Sequence, residues 1–62
     1  MSLFDIQLNY LNDFGTERFK QLVSLYYKTM RDNNKLPKRI GNNREYLLKQ
    51  LTINNLTYLL YI

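Results

Sequence analysis

Apolar residues recur at intervals of three and four through the middle of the chain. Phe19, Leu22, Val23, Tyr26 and Met30 form one narrow stripe, with Glu17, Lys20, Ser24, Lys28 and Arg31 on the opposite side. That spacing predicts an amphipathic helix over residues 17–31. Gly15 is expected to supply a left-handed residue ending the element before it, and Thr16 to act as N-cap, with Glu17 well placed in the first turn. Asn33 and Asn34 are expected to end the helix, and Pro37 keeps it from resuming.

Upstream, residues 3–12 carry two periods at once. Phe4, Leu8 and Leu11 share a helical face, which Leu3, Ile6, Tyr10 and Phe14 widen. Ser2 followed by Asp5 gives a capping-box-like start. Phe4, Ile6, Leu8 and Tyr10 also alternate with Asp5, Gln7 and Asn9, the period of a half-buried strand. A lone strand in so short a chain has little to pair with, so the helix is the expectation.

Downstream, residues 33–43 read as a loop holding the only proline and the second glycine, Gly41. Leu47, Leu48 and Leu51 predict a third helix over 43–51, capped by Asn42 or Asn43. Ile53 and Leu56 fall out of phase with it, and Thr52, Asn54 and Asn55 are poor helix-interior residues. A fourth helix is therefore expected from about residue 54, burying Ile53, Leu56, Leu59 and Leu60. The predicted fold is all-α: a single domain, 1–62, of three or four short helices in a compact bundle.

Residues 44–61 resemble the helix-turn-helix unit of small DNA-binding regulators. Leu47, Leu51 and Ile53 stand where that motif packs apolar side chains. The pattern departs where Thr52 replaces the usual glycine and Leu48 the usual small residue. The resemblance implies a second helix that reads bases, for which Asn54, Asn55 and Thr57 are the available side chains. Its register would bury Tyr58 and Tyr61, whereas the periodicity prefers Leu56, Leu59 and Leu60. The alternative is two core helices joined by a turn.

Composition narrows the function. The chain has 62 residues, no cysteine and no histidine. A domain of this size buries only about 60% of the surface its unfolded chain exposes. Disulfides are excluded and the common zinc sites cannot be built, so a partner or a second copy is the remaining support. No cofactor or metal is expected. The acids Asp5, Asp13, Glu17, Asp32 and Glu45 are scattered, with no paired spacing suited to acid–base chemistry, so the expected function is binding and not catalysis. The start lacks the basic and apolar regions of a signal peptide, and the longest apolar run, Tyr58 to Ile62, is far too short to span a bilayer. A cytoplasmic protein without a membrane partner is the expectation. That terminal run is also compatible with a piece of a longer chain.

The net charge of +4 lies entirely in residues 35–62, because residues 1–34 balance four cations against four acids. Lys35, Lys38, Arg39 and Arg44 fall within ten residues without one acid. This segment is the candidate nucleic-acid contact, with Asn42 and Asn43 as neutral phosphate ligands and Lys28 and Arg31 extending the surface. The alternative is a solvated loop whose charge serves solubility. A second candidate surface is aromatic: Phe4, Tyr10, Tyr27, Tyr58 and Tyr61 lie on or beside the apolar faces and suit docking on a larger protein or on a second copy as a homodimer. Basic and aromatic residues are mostly segregated along the chain, which argues against base stacking.

Overall fold

Ser2 sets the first helix. In the computed structural model, which describes residues 2–62, its Oγ accepts a hydrogen bond from the Asp5 N–H at 3.1 Å, and α1 runs Leu3–Asn12. The helix, and not the strand, is the outcome. Leu11 is fully buried, Gln7 is buried, and Phe4 and Leu8 pack against the core. These four residues form the inward face. Leu3, Ile6 and Tyr10, offset from it by about a third of a turn, remain exposed.

The α1–α2 junction corrects two expectations. Gly15 has φ −67° and ψ 166°, an extended conformation open to any residue, and it occupies the N-cap position of α2, Thr16–Asp32. Its carbonyl accepts from the Phe19 N–H at 2.9 Å. Thr16 is therefore the first helical residue and not the cap. Phe19, Leu22, Tyr26 and Met30 are buried and Val23 packs against them, as the stripe predicts.

Left-handed backbone falls at Asn34 (φ 58°), Gly41 (φ 64°) and Asn55 (φ 59°). At the end of α2, the Lys35 N–H reaches the Met30 carbonyl at 2.9 Å and the Asn34 N–H reaches that of Arg31 at 3.0 Å. This is a Schellman ending with Asn34 in the left-handed position. It turns the chain into an irregular segment held down at Ile40, which is buried in the core.

Helix α3 runs Arg44–Ile53, capped by Asn43, whose Oδ1 accepts from the Tyr46 N–H at 3.0 Å. Leu47, Leu48 and Leu51 are fully buried, and α3 packs against α1, α2 and the last element. A second Schellman ending follows. The Leu56 N–H bonds the Leu51 carbonyl at 2.8 Å and the Asn55 N–H that of Thr52 at 3.3 Å, with Leu56 itself buried.

The expected fourth α-helix from residue 54 is thereby corrected. Residues 54–56 are spent on the turn, and Thr57–Tyr61 forms a five-residue 3-10 helix with Leu59 and Leu60 buried. Ile53, expected inside, is 72% exposed at the end of α3. The register therefore follows the apolar periodicity, and Tyr58 and Tyr61 stay outside. A helix-turn-helix needs a second α-helix presented to the groove; this short inward-facing element does not supply one. The architecture is all-α: three α-helices and a 3-10 helix around one core, with no strand among the described residues. No helix among them is long and apolar enough to cross a membrane.

Candidate nucleic-acid interface

The basic segment is fixed from beneath by two tyrosines of α2. The buried Tyr26 hydroxyl accepts from the Lys38 N–H at 3.4 Å, and the half-buried Tyr27 hydroxyl accepts from the Ile40 N–H at 3.0 Å. Burial pushes the Tyr26 phenol above its ordinary pKa of 10.0, and the hydrogen bond from Lys38 opposes only part of that. Residues 38–40 thus have two backbone anchors and one buried side chain, Ile40. A freely solvated loop would have none.

Pinning the backbone points the cations outward. Lys35, Lys38 and Arg39 are exposed, as are Lys28 and Arg31 on the last turns of α2. Among the described residues the one ion pair joins Lys49 to Glu45 on α3, at 3.6 Å. The five cations on α2 and the segment therefore have no carboxylate within 4.0 Å. Tyr27 and Arg31 from α2 meet Pro37 and Arg39 from the segment around an open concavity of about 340 Å³. Tyr27 and Arg31, one turn apart on α2, are here brought against Arg39 of the segment.

Other residues singled out from the sequence stand elsewhere. Arg44 donates from Nη1 to the Leu11 carbonyl at 2.8 Å, and its guanidinium lies 4.7 Å from the centroid of the Phe19 ring. It ties the end of α1 to the start of α3. Asn43 spends its Oδ1 on capping α3, while Asn42 is exposed beside it. Asn54 donates from Nδ2 to the Gln50 carbonyl at 2.8 Å, Asn55 holds the left-handed turn, and Thr57 begins the 3-10 helix.

The aromatic candidates separate in the same way. Phe4 and Tyr27 pack against the core, while Tyr10, Tyr58 and Tyr61 remain exposed. Tyr10 stacks on Tyr61 with centroids 5.3 Å apart and also meets Phe14 edge-on at 5.1 Å. Arg18 has a role that spans the fold. It lies 4.5 Å from the centroid of the Phe14 ring and donates to the Leu60 and Ile62 carbonyls at 3.4 and 3.3 Å. The two carbonyls it bonds are more than forty residues away, so local spacing marks only its contact with Phe14. The chain matches no family model, and comparison with curated proteins and with solved structures likewise returns no match.

Proposed function

We propose that this chain is a small regulatory binding protein that contacts nucleic acid through Lys35, Lys38 and Arg39, joined by Lys28 and Arg31 of α2. The observation that carries the proposal is the group of five exposed cations without a carboxylate partner, two of them converging on one concavity. Such a surface neutralises phosphates and releases their counterions, which supplies sequence-independent affinity. Asn42 is free to add a neutral phosphate contact. Arg44 belongs to the fold's own bonding and is left out of the contact surface, as are Asn54, Asn55 and Thr57. The test is the double variant Lys38→Ala/Arg39→Ala, measured by fluorescence anisotropy on labelled DNA at low salt. The expected result is at least tenfold weaker binding with an unchanged far-UV circular dichroism spectrum, on the basis of two lost charge-assisted contacts. Unchanged binding by a folded double variant rejects the proposal.

A second reading is favoured by the ridge of Leu3, Ile6 and Tyr10 on α1, which the Tyr10–Tyr61 stack extends onto the 3-10 helix. On that reading a second copy of the chain covers the ridge, in keeping with the help that domains of this size draw from association. Sedimentation equilibrium of Ile6→Lys against the wild type tests it. A wild-type dimer that the variant dissolves supports self-association, and a wild-type monomer throughout the accessible concentration range rejects it.

A further inference from the structure

We infer that the concavity between α2 and the basic segment is a subsite for one unpaired nucleotide, so that the nucleic acid this chain prefers is single-stranded or looped. The inference rests on the nucleic-acid reading above and names its substrate class.

The lining chemistry leads to it. Tyr27 and Pro37 give apolar ring surface, Arg31 and Arg39 give two guanidinium groups, and no acid lines the site. An aromatic face accepts any base by stacking, and a guanidinium can pair with the phosphate or lie over the base plane. The volume, about 340 Å³, is at the lower end of small-molecule sites, roughly 300–1,000 Å³. An open depression of that size accommodates a single nucleotide unit. A duplex keeps its bases stacked inside, and would meet this site only through its phosphates.

The site is also formed in advance. Tyr27 is held by the hydrogen bond to its hydroxyl from the Ile40 N–H, and its ring lies 5.5 Å from that of Tyr26, which holds Lys38 in turn. The wall carrying Arg39 is adjacent to the buried Ile40. A stacking base therefore meets a platform whose ordering cost is already met by folding. The Tyr27 hydroxyl accepts from the Ile40 N–H, a bond that leaves its own proton unused. Lys35 and Lys38 lie close by in the chain, where the phosphates flanking the bound nucleotide would run. The recognition helix expected after α3 is not formed: the basic segment is not helical, and the element after α3 is the inward-facing 3-10 helix.

The experiment uses the wild-type chain and three labelled probes of equal length: a single-stranded DNA, its duplex, and a strand with the same phosphates whose central nucleotides are abasic. Anisotropy at low salt is expected to give single-strand binding about tenfold tighter than either of the other two, the size expected of one stacked base. Tyr27→Leu should remove that advantage. Equal affinity for all three probes, falling together with salt, overturns the subsite and leaves the electrostatic surface standing. No binding to any probe at low salt overturns both. Because the abasic probe needs no mutation, the outcome does not depend on whether Tyr27→Leu folds.

Discussion

Arg44 is the residue whose role changes most between chain and fold, and replacing it with methionine measures that role. Methionine keeps an unbranched stem of similar reach, so packing along the side chain is largely retained. Lost are the charged hydrogen bond to the Leu11 carbonyl at 2.8 Å and the approach over the Phe19 ring at 4.7 Å. A hydrogen bond from a charged donor contributes about 1.5–3 kcal/mol, the lower end applying at a half-buried site. A cation over an aromatic ring at such a site adds about 0.5–1 kcal/mol. Arg44 is also the first residue of α3, where a cation opposes the helix dipole, and removing it returns roughly 0.3–1 kcal/mol. The net expected loss is about 1–2 kcal/mol. At this chain length that lowers Tm by roughly 5–15 °C, a large effect against a total stability of about 3–9 kcal/mol. Urea unfolding followed by far-UV circular dichroism reads the stability, and anisotropy on labelled DNA reads binding. The expectation is a reduced midpoint with nearly unchanged affinity for the folded variant. An unchanged midpoint together with weakened, less salt-dependent binding would show that Arg44 is a phosphate contact and refute the reasoning.

Variants at three further positions test other elements. Gly15→Ser places a capping hydroxyl at an N-cap whose backbone already suits any residue and where an added Cβ meets no described atom within 4 Å; it should raise stability by roughly 0.5–1 kcal/mol in urea melts. Asn55→Ala forces an alanine into left-handed backbone and should cost about 1 kcal/mol, whereas Asn55→Gly should cost nothing; equal midpoints for the two would contradict the turn assigned to residues 54–56. Tyr26 has its pKa raised by burial, so the folded state holds that proton more tightly than the unfolded chain does. Its contribution is fully present below the unfolded pKa near 10 and is lost as pH rises toward the folded value. Wild-type stability should accordingly decline more steeply above about pH 10 than that of Tyr26→Phe, and parallel pH profiles from chemical denaturation would refute this.

What the sequence made legible were the features with a local signature. The α2 stripe has the helical period over several turns, and Phe19, Leu22, Tyr26 and Met30 are buried as that period requires. Ser2 and Asn43 cap α1 and α3 because a short polar side chain before an apolar run can satisfy a free N–H three residues on. Residues 4–10 satisfy two periods at once; the want of a pairing strand favours the helix, and its packing on α3 agrees. The last element is not legible in the sequence because Asn55, unlike glycine, does not announce a left-handed turn; once it adopts one, residues 54–56 leave the helix and Ile53 faces out. The candidate site was half visible. Its charge was plain in the run from Lys35 to Arg44, with Lys28 and Arg31 as its extension, but the place of Tyr27 beside that run depends on contacts across the fold. The same holds for Arg44, whose bond to Leu11 spans 33 residues and leaves no trace in local spacing.

The central claim is that the cations of α2 and residues 35–39 form a phosphate-contacting surface. The most direct test is the affinity of the wild-type chain for random-sequence DNA, measured by anisotropy across a salt series. With about five cations engaged, log K against log salt should fall with a slope of roughly −4.5 on duplex and about −3.5 on single strands. A slope near zero, or no binding at low salt, would contradict the account and leave the charge of this segment without a nucleic-acid partner.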